Sequence, residues 1–354
     1  MIQARHISFN IEYGRYIKAI ENKLHDRIQF GKGTNLEIAS KIYKLSKRYT
    51  WYTECDHSTF DAHVTVEMLK LTHTLYQACF FHDKYLRKLS KKTLNNNCCT
   101  RDRIKYRIKG TRMSGDVDTS LGNSLINYAI LKECVSQLCG KCEIIVNGDD
   151  SIIFTNKRVD VHKLSQLLRV YNMESKVNPS VTNIHHVEFC RQKVVLNSNG
   201  TPTLMINPRR ILDIYGMTYK QQRDYIEYLR QVCVCNIAIN VTNPLAKYWA
   251  KIYNKTFDKS YTLSDIFNYE YIEFRTKVTA IKELTKTPAC EYDSGEFNST
   301  TFAAWGNLDY LEDLRLTLES KIRRLKSLSN KRITTELIKY FPVQTFLYVN
   351  HNRK

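Results

Sequence analysis

The chain has 354 residues, with 54 Lys or Arg against 35 Asp or Glu, a formal net charge of +19. Its 43% hydrophobic content is enough to bury a full core in one large or two ordinary domains, which excludes overall disorder. No apolar run approaches the ~18 residues of a membrane span, and the N-terminus lacks a secretory stretch. The expectation is a soluble, basic protein of a reducing compartment, drawn to nucleic acid or an anionic membrane surface.

In chain order, Gly31-Lys32-Gly33-Thr34 lacks the spacing of a phosphate-binding Walker loop. A β-prone run from Tyr49 to Cys55 then leads into Asp56, a polar turn, Asp61, and the helical pattern Val64, Met68, Leu71, Leu75. Asp56 thereby stands at the C-terminal end of a strand, where α/β proteins place ligand chemistry. Taken alone, an Asp before a helix is equally an N-cap.

Between Lys84 and Arg112 lie eleven basic residues against the single acid Asp102. Arg101, Arg103, Lys105, Arg107 and Lys109 alternate with Ile104, Tyr106 and Ile108, which predicts a strand with five cations on one face. Such a row matches successive phosphates of RNA or DNA. Protection of a sheet edge is the competing reading, and it needs fewer cations. A Ser114-Gly115 loop follows and opens a helix carrying Leu121, Leu125, Ala129 and Lys132. Thr119 and Asn123, four apart, share one helical face and offer a hydroxyl and an amide to a sugar. Ordinary capping accounts for Ser114 and Thr119 taken alone.

Among eleven cysteines, Cys139-Gly140-Lys141-Cys142 is the best zinc candidate. It has no second pair at suitable spacing: Cys233-Val234-Cys235 is too tight, and His185, His186 and Cys190 would join only through tertiary coincidence. The cysteines read better as core or turn residues. Next, two apolar runs flank Asn147-Gly148-Asp149-Asp150, a hairpin signal with Asn147 and Gly148 at its turn. Adjacent carboxylates there repel each other, and a divalent cation would relieve this. Mg²⁺ favours one or two carboxylates with phosphate and water, so Asp149 and Asp150 with Asp56 would supply a two-metal site.

Further on, Thr285 to Thr301 is polar, with Pro288, Gly295 and three acids (Glu291, Asp293, Glu296) against Lys286. It reads as a surface loop between a mixed α/β body and a helical C-terminal part. The helical stripe Leu311, Leu314, Leu318, Ile322, Leu325, Leu328 ends that part. The cations around it (Lys321, Arg323, Arg324, Lys326, Lys331, Arg332) read as a solvated face.

Three of these segments together resemble a known family. Asp56-x₄-Asp61, Ser114-Gly115-x₃-Thr119-x₃-Asn123 and Gly148-Asp149-Asp150 are similar in order and rough spacing to motifs A, B and C of viral RNA-dependent RNA polymerases. The wording is most similar to the tombusvirus-like group of positive-strand RNA viruses, at Asp56-x-Ser58-x-Phe60-Asp61-x-His63-Val64 and Arg112-Met113-Ser114-Gly115-Asp116. Asn10-Ile11-Glu12-Tyr13-Gly14-Arg15-Tyr16 and Lys32-Gly33-x-Asn35 resemble that group's segment upstream of motif A. Lys176 falls at motif D and Val187-Glu188-Phe189-Cys190 at motif E, so the resemblance covers about residues 2 to 210.

The resemblance implies an α/β (α+β) right-hand polymerase: a palm with an antiparallel sheet and helices, a helical thumb, and fingers largely missing. Residues 1–48 would be a remnant of fingers with the end of motif F. Residues 49–206 would be the palm, with an inserted basic fingers strand near 84–112, and residues 207–354 the thumb. Asp56, Asp149 and Asp150 would hold Mg²⁺, with Mn²⁺ as the alternative, to align a primer 3′ hydroxyl with a nucleotide α-phosphate. Asp61, Thr119 and Asn123 would surround the ribose, Ser114 and Gly115 would form the checking loop, and Arg5 would touch the triphosphate. Lys176 would protonate pyrophosphate. RNA would be held by Arg101, Arg103, Lys105, Arg107, Lys109 and Arg112, and by Cys190 and Arg191 of a primer-supporting hairpin.

The implied partners are RNA template and product, nucleoside triphosphates, and a separately encoded fingers segment or replication protein. The implied location is the host cytoplasm, at membrane-associated replication complexes. One departure is that Met1 stands inside motif F and Ser8 replaces a basic residue. The expectation is therefore an N-terminally truncated reading frame or half of a split enzyme. A non-catalytic RNA-binding subunit is the alternative. A two-metal nuclease leaves Thr119 and Asn123 without a task, and Gly148 disfavours reverse transcription.

Overall fold

The computed structural model describes residues 5–100, 103–218, 222–289, 292 and 296–327; Arg101, Leu328, Lys331 and Arg332 lie outside them. The chain divides into two compact units, Met1–Gly33 with Lys41–Cys190, and Thr34–Ser40 with Arg191–Lys354. Residues 5–48 fall partly in each unit, and residues 191–206 fall in the second.

The first unit contains, in order, α1 (Ile7–Leu24), α2 (Asn35–Ser46, its first half in the second unit), β1 (Trp51–His57), α3 (Phe60–His63), α4 (Val66–Cys79) and α5 (Lys84–Lys91). There follow β2 (Asn95–Cys99), β3 (Lys105–Lys109), α6 (Thr119–Cys139), β4 (Cys142–Asn147), β5 (Asp150–Thr155), α7 (Val161–Val170), β6 (Ser175–Val177) and β7 (Glu188–Phe189). The central sheet has the order β4-β5-β1-β6, antiparallel throughout. Ile144, Ile145 and Val146 of β4 and Ile152, Ile153 and Phe154 of β5 are all buried, as continuous apolar runs are when both faces of a strand are covered. Helices α6 and α7 complete this core through Ile130, Leu131, Val135, Leu164 and Leu168. A second cluster joins Tyr13, Ile17 and Ile20 of α1 to Tyr76, Leu86 and Leu89.

Two local expectations shift. The helix after Asp61 is buried through Leu69, Thr72, His73 and Tyr76, while the anticipated Leu71 and Leu75 face outward. The β4–β5 turn is Gly148-Asp149, with Asn147 paired to Asp150, one residue later than Asn147-Gly148. Gly148 holds φ +67, the backbone that a two-residue hairpin asks of its first central position and that glycine adopts without a Cβ penalty.

The second unit carries the hairpin β8 (Gln192–Leu196) and β9 (Pro202–Ile206), then α8 (Pro208–Ile214), α9 (Tyr225–Ile239), α10 (Leu245–Thr256), α11 (Phe274–Lys286), α12 (Ser299–Trp305) and α13 (Tyr310–Ser327). Its core gathers Leu229, Cys233, Trp249, Ile252 and Ile266, with Leu311, Leu318 and Ile322 from the predicted α13 stripe. The polar stretch 285–301 is narrower than expected at both ends, because α11 continues to Lys286 and α12 starts at Ser299 under an Asn298 cap. No helix among the described residues is long and apolar enough to cross a membrane.

Candidate active site

The geometry of the first unit centres on the ends of β1, β5 and β6. The last β1–β5 pair is Cys55 with Ser151, so Asp56 and Asp150 follow it directly on neighbouring strands. On the other side of β1, Asp56 is the ladder partner of Lys176, and both side chains are exposed. Alternation along β1 turns Cys55 and His57 inward and leaves Asp56 outward. Asp149 occupies the turn itself. Although Asp149 is exposed at the turn, partial desolvation of its carboxyl, reinforced by the negative charges of Asp61 and Asp56, pushes its pKa above the ordinary carboxylate value. Asp149, Asp61 and Asp56 therefore share one electrostatic neighbourhood.

The turn that carries Asp149 is held from beneath by helix α6. Ser124 Oγ accepts the Gly148 N–H at 2.8 Å. Asn127 Nδ2 donates to the carbonyls of Gly148 and Asp149 at 3.0 and 3.1 Å. Asn127 Oδ1 lies 2.9 Å from His57 Nε2, and His57 Nδ1 lies 2.6 Å from Ser175 Oγ. Because Asn127 Oδ1 can only accept, Nε2 carries the proton and Nδ1 accepts from Ser175. Burial lowers the His57 pKa and keeps the ring neutral. One chain of hydrogen bonds thus ties β6, β1, α6 and the Asp149 turn together.

Asp150 points elsewhere. It contacts Cys190, whose thiol is also the acceptor of Asn147 Nδ2 at 3.3 Å and is pushed up to about 12, first by burial and then by the Asp150 charge. Among the described residues no three His, Cys, Asp or Glu side chains already form a metal-holding cluster. Asp56 and Asp149 are hard oxygen donors under mutual repulsion, and a divalent ion that takes its remaining ligands from phosphate and water fits them.

A family profile described as "Viral RNA dependent RNA polymerase" matches residues 1–330. The chain belongs to this family. It is 34% identical over 227 residues to the RNA-directed RNA polymerase of Panicum mosaic virus, covering 59% of this chain and 22% of that protein. It is 29% identical over 263 residues to that of Tobacco necrosis virus strain A, covering 68% and 36%, and 28% identical over 276 residues to that of Turnip crinkle virus, covering 73% and 35%. The chain therefore spans about a third or less of the length of these relatives.

The remaining anticipated site residues of this polymerase-family chain fall into place unevenly. Asn123 Nδ2 donates to Asp61 Oδ1 at 2.7 Å, so these two meet. Thr119 stands one turn before Asn123, but its hydroxyl donates to the Met113 and Asp116 carbonyls at 2.9 and 2.8 Å, anchoring the loop and leaving only its lone pairs for a sugar. Ser114 and Gly115 are half-buried in that loop, and the Gly115 carbonyl accepts from Asn10 Nδ2 at 3.2 Å. Arg5 pairs with Asp116 at 2.5 Å and donates to Asn96 Oδ1 at 2.5 Å, so it braces the loop instead of standing free for a triphosphate. Burial raises the Asp116 pKa to about 6 against the opposing pull of Arg5.

The basic run is corrected most. Lys84, Arg87, Lys88, Lys91 and Lys92 belong to α5 or its cap and are exposed. Of the five alternating cations, Lys105, Arg107 and Lys109 do line the exposed face of β3, opposite Cys99, Asn97 and Asn95. Arg103 sits at φ +63 in the connecting turn, off that face. Arg112 is not an RNA contact at all: its side chain is fully buried, with Nη1 2.6 Å from Asp118 Oδ2. Cys190 and Arg191 both hold left-handed backbone, φ +52 and +62, as tight turns require; Arg191 is exposed.

Sequence reasoning missed Lys32, His57, Ser124 and Asn127. Lys32 Nζ donates to Ser120 Oγ. A signal for Asn127 was present, since it lies one helical turn beyond Asn123 on the same face. His57 was visible only as the inward neighbour of Asp56.

Proposed function

We propose that this chain is the catalytic palm-and-thumb portion of a template-directed RNA polymerase that adds nucleotides to an RNA 3′ end. The convergence of Asp56 and Asp149 beside Asp61, under mutual repulsion on adjacent strand ends, carries the reading. Asp56 and Asp149 would hold Mg²⁺ or Mn²⁺, while Asp150 steadies the hairpin from the Cys190 side. Bound there, the ion would favour ionisation of the attacking hydroxyl and neutralise phosphate charge. Lys176, across the ladder from Asp56, would supply a proton to the departing pyrophosphate. Asp61 and Asn123 would take the ribose hydroxyls. Lys105, Arg107 and Lys109 would follow the RNA backbone. RNA, nucleoside triphosphates and a separately made fingers segment or replication protein are the partners of this reading.

The test is incorporation of labelled nucleotide by the purified chain with RNA template, nucleotides and Mg²⁺, alone and with candidate upstream segments. Asp149→Ala should abolish the signal; no incorporation under any of these conditions refutes the catalytic role. The exposed cationic face of β3 favours a second reading, a subunit that grips RNA without turning over. It requires salt-sensitive RNA binding that Asp149→Ala leaves intact.

A further inference from the structure

Arg112 stands apart from the cations around it. Its side chain and that of Asp118 are both fully buried, and Asp118 Oδ2 also accepts from Tyr76 Oη at 3.3 Å. Among the described residues, Arg112 Nη2 and Asp118 Oδ1 nevertheless lack a hydrogen-bond partner. A buried pair left incomplete in this way is a weak stabilising device, because desolvation offsets most of its Coulomb energy. Its geometry instead points toward Asp61. Arg112 N–H donates to the Asp61 carbonyl at 2.8 Å, and Arg112 Nε donates to Asn123 Oδ1 at 3.3 Å. The guanidinium lies where a side chain at Gly122 would be: a Cβ there would collide with Nη2 and Cζ. Gly122 thus makes room on α6 for Arg112 to reach Asn123.

A carboxamide has two nearly isosteric orientations, and its neighbours decide between them. A guanidinium only donates, and an ionised carboxylate only accepts. With Arg112 on one side and Asp61 on the other, Asn123 must present Oδ1 to Arg112 and Nδ2 to Asp61. The reverse orientation sets donor against donor and acceptor against acceptor. One Nδ2 hydrogen is taken by Asp61; among the described residues the second is left to donate and Asp61 Oδ2 is left to accept. Side by side, these groups read a hydroxyl as acceptor and donor at once, and a deoxy sugar satisfies neither.

We propose that Arg112 is a positioning residue that fixes the Asn123 carboxamide and thereby sets the preference for a ribonucleotide over a 2′-deoxyribonucleotide. This rests on the reading that Asp61 and Asn123 meet the ribose. Asp118 and Tyr76 hold Arg112, Arg112 holds Asn123, and Asn123 holds the Asp61 carboxylate.

The test compares affinities of the full chain for GTP and 2′-deoxyGTP, with Ca²⁺ present to suppress turnover. Arg112→Lys keeps a cation for Asp118 but removes the Nε donor. The wild type should prefer GTP, and Arg112→Lys should lose about tenfold of that preference, the equivalent of one net hydrogen bond. A variant that melts like the wild type and keeps its full preference overturns the proposal. Equal wild-type affinity for both nucleotides removes the ribose reading, and the Arg112 inference with it. Should Arg112→Lys fail to fold, or the wild type bind neither nucleotide, NMR of the wild-type Asn123 side-chain amide decides. A single restrained orientation is expected, and a freely flipping amide overturns the proposal.

Discussion

Glu283 should impose a measurable pH dependence on the stability of the second unit. It is buried on α11, and its two oxygens lie 3.1 and 3.2 Å from the Asn35 backbone N–H they accept. Burial raises its pKa from 4.5 to about 7, outweighing the Asn35 hydrogen bond and the Lys282 charge, which pull it down. Below about pH 4.5 the carboxyl is protonated in both folded and unfolded chains, and its contribution to stability is complete. As pH rises toward 7 the unfolded chain loses this proton first, so stability falls, and it levels off above about 7. At about 1.4 kcal/mol for each pH unit, the gap between 4.5 and about 7 is worth about 3 kcal/mol. Glu283→Gln keeps an oxygen for Asn35 and cannot titrate. Urea unfolding followed by tryptophan fluorescence from pH 4 to 8 should show the wild type losing about 3 kcal/mol relative to the variant. A difference between the two that stays flat within about 0.5 kcal/mol across that window would refute the burial argument.

Asn127→Ala removes the two hydrogen bonds that hold the Asp149 turn and leaves His57 Nε2 without its acceptor. It should cost about 2–4 kcal/mol of stability in denaturant unfolding and lower nucleotide incorporation further than its stability loss explains. Incorporation that tracks stability alone would deny the turn a functional role. Replacing Lys105, Arg107 and Lys109 together with Ala should weaken RNA binding and reduce the slope of log affinity against log salt by about 2, read by fluorescence anisotropy. An unchanged slope would mean that the β3 face does not meet phosphate.

The parts of this protein legible in its sequence are those made by neighbours along the chain. The β4–β5 hairpin follows from two apolar runs around a glycine, and β1 ending at Asp56 follows from its β-prone run. The α13 stripe follows from helical spacing. The carboxylate motifs and their order were sufficient to expect a viral RNA-dependent RNA polymerase, and the family match bears that out. Errors arose where a local pattern has more than one tertiary use. The helix α4 has apolar residues around much of its circumference, so its sequence alone did not decide that Leu69 and Tyr76 would be covered while Leu71 and Leu75 would not. Arg112 continued a run of cations, and only the approach of Asp118 and Asn123, with the space at Gly122, turned it inward. His57 and Asn127 meet because β1 and α6, seventy residues apart at that pair, pack around the same turn. Short-range periodicity and turn residues determined many of the elements, and the order of the carboxylate motifs pointed to the family. Burial and long-range hydrogen bonding, which depend on what each side chain meets after packing, decided which charged groups stay exposed, as Asp56 and Lys176 do, and which are turned inward, as Arg112 and Asp118 are.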